Sequence, residues 1–197
     1  GLDAATLRAD FPRLIVCSVT GFGQTGPYAH RAGYDFIVQA MSGFMSLTGE
    51  PDGAPQKAGI AYADIFTGMY SAVAILAALR RRDVTGAGVH IDMALLDSQV
   101  AVLANQAANY LASGVSPKRM GNGHANVVPY QAFATADGQL VVAVGNDSQY
   151  RKLCAILGEP QWADDARFAN NAARLANRAA LIPLLAAKIA AWDAQPL

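Results

Sequence analysis

From residue 64 to residue 79 only the first side chain is charged: Asp64 opens a run dominated by Ala, Leu, Ile, Val, Met and aromatic residues that ends at Arg80, Arg81 and Arg82. An acidic start, an apolar body and cations in the last turn are the marks of one long helix. The carboxylate suits the positive end of the helix dipole and the arginines suit the negative end. A helix this apolar needs cover on nearly every face, so residues 64–82 predict a deeply buried element around which the rest must pack. Apolar stretches such as residues 71–79 end in charge after 9 residues. That is short of the roughly 20 a bilayer span requires, so no membrane is expected.

The elements around that helix read as α/β. Residues 14–19 form a short, partly β-branched apolar run between Pro12 and Gly21, which predicts a parallel strand buried on both faces. Residues 20–33 hold Gly21, Gly23, Gly26, Pro27 and Gly33 and read as a loop at that strand's carboxyl end, the edge where open α/β sheets bind ligands. Residues 35–47 predict a helix with Phe36, Ile37, Ala40, Met41, Phe44 and Met45 on its packed face. A second short strand over 89–93 and a long helix over 94–112 follow. Beyond Pro117 the character changes: the Gly/Asn-rich stretch 121–126 leads to two strands, 130–135 and 139–144, joined by the hairpin turn Ala136-Asp137-Gly138. Helices over 147–157 and 172–192 end the chain. The expectation is a Rossmann-like parallel-sheet part over residues 1–115, followed by part of a smaller α+β domain over 116–197.

Composition bounds the chemistry. Fifteen Lys and Arg balance fifteen Asp and Glu, leaving no global field to gather nucleic acid, and 53% hydrophobic residues exclude intrinsic disorder. Cys17 and Cys154 lie far apart inside apolar runs and read as reduced core thiols, which points to a reducing compartment, cytoplasmic or mitochondrial. His30, His90 and His124 have no neighbouring cysteine pair, so no metal site is expected. A start at Gly1 and an end just beyond an Ala-rich helical pattern read as a piece of something longer.

Asp64 is the most informative side chain. It reads as an N-cap whose carboxylate accepts backbone hydrogen bonds and, compatibly with that, as a nucleophile steadied by the helix N-terminus. His124, between Asn122 and Asn126, reads as a solvated loop histidine or a site residue. His30 and Arg31 end the Gly-rich loop. That loop fits neither the dinucleotide fingerprint nor the P-loop, lacking their spacing and the Lys-Ser/Thr ending.

Six segments in order carry a resemblance. They are Gly21-Phe22-Gly23-Gln24-Thr25-Gly26-Pro27-Tyr28, Arg31-Ala32-Gly33-Tyr34-Asp35, Ala63-Asp64-Ile65-Phe66-Thr67-Gly68, Thr85-Gly86-Ala87-Gly88, Ile91-Asp92-Met93-Ala94-Leu95-Leu96-Asp97 and Asn122 through Phe133. The chain resembles the class III coenzyme A transferases, a family that includes formyl-CoA, carnitine and succinyl-CoA-dependent dicarboxylate transferases and the related α-methylacyl-CoA racemases. The resemblance covers about the middle half of a full-length member.

It implies that Asp64 matches the aspartate that attacks an acyl-CoA and then carries CoA as an aspartyl thioester to an acceptor acid. It also implies that Tyr34 contacts CoA near the thioester, with Arg31 the nearby basic residue. Gly121, Gly123, His124 and Asn126 match the glycine-rich loop that closes over the site, although no consecutive glycines stand there. The racemases place a histidine at the position of Tyr34, and a tyrosine with a pKa near 10 is a poor base, so transfer is favoured over racemisation. A CoA-binding fragment without catalysis is the third reading. The resemblance further implies no resident cofactor, CoA esters and a carboxylic acid as substrates, the succinyl-CoA/dicarboxylate type of transfer, and two chains interlocked as a homodimer.

Overall fold

The computed structural model describes residues 2–194, as two compact units that divide between Arg119 and Met120. In the first, helix α1 (Ala4–Asp10) leads to strand β1 (Val16–Thr20), helices α2 (Asp35–Met41) and α3 (Phe44–Leu47), the long α4 (Tyr62–Thr85), strand β2 (His90–Ala94), and helices α5 (Leu95–Ala101) and α6 (Ala104–Ser113). In the second, β3 (Tyr130–Ala134) and β4 (Gln139–Ala143) precede α7 (Asp147–Ile156), a 3-10 turn (Pro160–Ala163), α8 (Asn171–Ala176) and α9 (Arg178–Ile189).

β1 and β2 pair in parallel, Val16 opposite His90 and Thr20 opposite Ala94. The crossover between them contains α2, α3 and α4, as a parallel pair requires. The expected burial of β1 on both faces does not occur: Val19 is exposed, because within the described residues this sheet has only two strands. β3 and β4 form the predicted hairpin, closed by Thr135 N–H donating to Gly138 O at 3.0 Å.

Three expected helices are broken. Residues 35–47 divide at Gly43, whose φ of 89° leaves the helical region and lets α3 start afresh. Residues 94–112 divide between α5 and α6, where Ala104 takes φ 47°, a left-handed conformation that its Cβ makes costly, and residue 94 belongs to β2. Residues 172–192 divide at Asn177. α2 also turns the opposite way from the prediction: Val38 and Gln39 are buried, whereas Phe36, Ile37, Ala40 and Met41 face out.

α4 extends beyond the predicted 64–82 and stops at Gly86, φ 73°. Its burial corrects the sequence reading. Only Ala63, Thr67, Ser71 and Ala78 are covered, while Met69, Val73 and Leu76 are about two-thirds exposed. The covered stripe is the small one, and its hydroxyls are satisfied on their own helix, Thr67 Oγ1 donating to Ala63 O and Ser71 Oγ to Thr67 O, each at 2.7 Å. At 24 residues, α4 is long and apolar enough to cross a membrane by length and composition alone. Counting unbroken apolar runs understated this, because Thr, Ser, Gly and Tyr interrupt the run without adding charge.

The two units differ in how much core they own. The second packs Val128, Phe133, Val142, Tyr150, Phe168, Leu181, Leu185 and Ile189 around Cys154 and the fully buried Arg174. That guanidinium is wholly engaged: it donates to Val128 O at 2.7 Å, Phe168 O at 3.0 Å and Asp147 Oδ1 at 2.8 Å, and lies 4.4 Å from the centre of the Tyr150 ring. The first unit gathers only Val38, Ala63 and Leu95, with Leu96 against them.

Candidate active site

The carboxyl ends of β1 and β2 assemble the first part of the candidate site. Leaving β1, the chain makes the Gly-rich loop and returns so that Gly33 lies directly on Gly21. A Cβ on Gly21 would sit 2.5 Å from Gly33 Cα, so neither position admits a side chain without backbone movement. β2 and the start of α5 pin the same loop, Asp92 Oδ2 accepting from Gln24 N–H at 2.8 Å and Gly21 O from Leu96 N–H at 3.1 Å. Tyr34 follows immediately as the N-cap residue of α2 and is 71% exposed. Arg31 is turned onto Tyr28, its guanidinium 4.3 Å from the ring centre.

Asp64 is the third residue of α4 and is exposed. It is not the N-cap, which is Ala61 and offers no side-chain acceptor. Instead Asp35 reaches across from α2: its Oδ1 accepts from Ala63 N–H at 2.8 Å. The chain neighbours of Tyr34 and Asp64 are therefore hydrogen-bonded to each other. Among the described residues, the Asp64 carboxylate accepts no hydrogen bond. Asp64 is thus not the N-cap of α4; its carboxylate lies exposed in the first turn, where the aligned peptide dipoles favour negative charge.

Gly121, Gly123, His124 and Asn126 lie in the second unit. They are more tightly tied than a glycine-rich stretch suggests. His124 N–H donates to Tyr130 O at 2.9 Å, His124 Nδ1 accepts from Asn126 N–H at 3.0 Å, and the His124 and Tyr130 rings stand 5.1 Å apart. Arg178 donates to His124 O, and Asn171 Nδ2 to Asn126 O at 2.9 Å. Burial holds the Arg178 guanidinium below its ordinary pKa.

Sequence reasoning missed Asp35 and Gln39. Their four-residue spacing, which places both on one face of α2, was the available signal. A groove of about 380 Å³ elsewhere on the first unit, lined by Gly43, Leu47, Val100, Leu103, Tyr110 and Leu111 among others, contains none of the predicted site residues. No cluster of His, Cys, Asp and Glu suited to a metal occurs among the described residues.

The whole sequence, residues 1–197, matches CoA-transferase family III. The chain belongs to that family. Among curated relatives, the succinate–glutarate CoA-transferase of Agrobacterium fabrum is 58% identical over 197 residues, 100% of this chain and 49% of that protein. The succinyl-CoA:glutarate CoA-transferase of Mus musculus is 49% identical over 96% of this chain and 44% of its own length, and the acetyl-CoA:oxalate CoA-transferase of Acetobacter aceti 43% identical over 92% and 47%. The chain thus spans about half the length of the curated relatives it matches. Among solved structures, a CaiB/BaiF family protein from Brucella suis is 59% identical with a TM-score of 0.75, covering 98% of this chain and 51% of that one. The orthorhombic form of a Mycobacterium tuberculosis protein is 32% identical with a TM-score of 0.84, covering 98% and 50%. The fold of this family III chain is thus a mixed α/β architecture with a short parallel and a small antiparallel sheet.

Proposed function

We propose that this chain is part of an enzyme that moves coenzyme A from an acyl-CoA to a carboxylic acid, of the succinyl-CoA/dicarboxylate type, with Asp64 as the covalent carrier. The observation that carries this is the state of Asp64: exposed and in the first turn of a long helix whose Ala63 N–H is satisfied by Asp35. The relatives' names support the substrate class, since those above act on succinate, glutarate or oxalate.

In this mechanism a carboxylate oxygen of Asp64 attacks the thioester carbonyl, giving an acyl-aspartyl anhydride and CoA thiolate. The thiolate attacks the aspartyl carbonyl, releasing the donor acid and leaving an aspartyl-CoA thioester. The acceptor carboxylate displaces the thiolate as a second anhydride, and the thiolate then takes the acceptor's acyl group, regenerating Asp64. Positive potential at the start of α4 stabilises each tetrahedral oxyanion. Tyr34, whose chain neighbour Asp35 accepts from the N–H of Asp64's neighbour Ala63, lines the thioester position, and Arg31 serves the CoA moiety. The apolar face of α4 is covered by segments outside this chain, including those of a second, interlocked copy.

The decisive experiment incubates the full-length enzyme with acyl-CoA and hydroxylamine, followed by peptide mass spectrometry. Conversion of Asp64 to its hydroxamate is expected. Transfer proceeding with Asp64 unmodified overturns the mechanism.

A further inference from the structure

The first turn of α2 forms a polar clamp on the segment that leads into α4. One oxygen of Asp35 accepts from Ala63 N–H at 2.8 Å, and the other accepts from Gln39 Nε2 at 2.7 Å. Gln39 is wholly buried. Its Oε1 accepts from Ala58 N–H at 2.8 Å, and its Nε2 lies 3.4 Å from Ile60 O. The segment that feeds α4 is therefore held at residues 58, 60 and 63 by two side chains of one helical turn. Behind it, Val38 and Ala63 are both fully buried and pack with Leu95, so the clamp sits on a closed apolar floor.

The consequence concerns Asp64. A helix start has free N–H groups, and its first turn is held in place only where acceptors satisfy them. The N-cap, Ala61, has no side-chain acceptor to offer. Asp35 supplies to Ala63 N–H the acceptor that an N-cap side chain would supply, and Gln39 holds Asp35 to it. We infer that Asp35 and Gln39 are positioning residues: they satisfy the Ala63 N–H of the first turn of α4 and fix residues 58–63, so that the turn carrying Asp64 is held in place for attack. This rests on the reading of Asp64 as the carrier.

The test uses the full-length enzyme and exploits the donor–acceptor logic of the pair. Asp35→Asn places an amide NH2 against Gln39 Nε2, donor facing donor; Gln39→Glu places two carboxylates face to face. The double exchange Asp35→Asn/Gln39→Glu restores one donor facing one acceptor, with an oxygen still available to Ala63 and another to Ala58, and gives up only the long 3.4 Å contact to Ile60 O. Each single variant is expected to lower kcat, and the rate of hydroxylamine trapping at Asp64, by about tenfold or more, with KM for acyl-CoA within about threefold of wild type, since a misaimed nucleophile weakens the transition state and not ground-state binding. The double exchange should recover most of both rates.

The inference is overturned if the single variants keep wild-type kcat and trapping. It is also overturned if the double exchange restores the thermal midpoint without restoring kcat, or if none of the three variants folds, because the pair is then a structural support only. Asp64→Asn, run alongside, separates this from failure of the parent reading: if that variant transfers CoA, the carrier assignment falls whatever Asp35 and Gln39 do.

Discussion

Replacing Asp64 by Asn separates two roles that a helix-start aspartate usually combines. Had Asp64 been the N-cap, removing its acceptor would cost about 1 kcal/mol or more. The structure assigns that bond to Asp35, and the Asp64 carboxylate, exposed and third in α4, makes no hydrogen bond among the described residues. What remains is the interaction of its charge with the helix dipole, about 0.3–1 kcal/mol at low ionic strength and less in salt. An amide of the same shape should therefore lower the stability of the full-length enzyme by less than about 1 kcal/mol, measured by urea unfolding at two salt concentrations. Transfer should fall by on the order of 10³-fold or more, because an amide cannot form the anhydride and losing a covalent nucleophile is among the most damaging single changes. Acceptor-CoA formation followed by chromatography checks the second half. Retention of more than a few per cent of transfer refutes the covalent role; a loss of stability beyond about 2 kcal/mol refutes the assignment of the cap to Asp35.

Gly33→Ala should destabilise the full-length enzyme by about 1–3 kcal/mol, since the new Cβ meets Gly21 Cα at 2.6 Å and only backbone can yield; thermal unfolding measures it, and an unchanged midpoint counts against the contact. Arg174→Met should cost about 3 kcal/mol or more by stranding the carbonyls of Val128 and Phe168, read from the urea midpoint. Burial pushes the Cys154 thiol above its ordinary pKa, so its contribution to stability is present below the unfolded-state pKa, about 8.5, and is lost as pH rises through the folded one. Iodoacetamide near pH 8 should accordingly label the half-buried Cys17 first and Cys154 only in urea, as peptide mapping will show. Leu76→Glu, on the uncovered face of α4, should weaken assembly of the full-length enzyme in light scattering while leaving its helix content unchanged.

What the sequence determined by itself is what neighbours along the chain decide. The turn Ala136-Asp137-Gly138 closes its hairpin because the strands it joins are adjacent. Arg82 in the last turn and Gly86 at the cap end α4 through forces that act within one helical turn. The ordered motifs around Gly21, Tyr34 and Asp64 were enough to indicate the family. Tertiary structure decided which face of each helix is covered. Hydrophobic periodicity put Phe36, Ile37 and Met41 of α2 inward, and the fold buries Val38 against Ala63 and Leu95, with Gln39 against the backbone of residues 58 and 60 beside it. The apolar body of α4 suggested burial, yet Val73 and Leu76 remain uncovered, since a sequence reports the preference of a face and not whether this chain supplies the partner. The acceptor at the start of α4 was out of reach for the same reason: Ala63 N–H is satisfied by Asp35, 28 residues earlier in the chain, and not by a neighbouring cap.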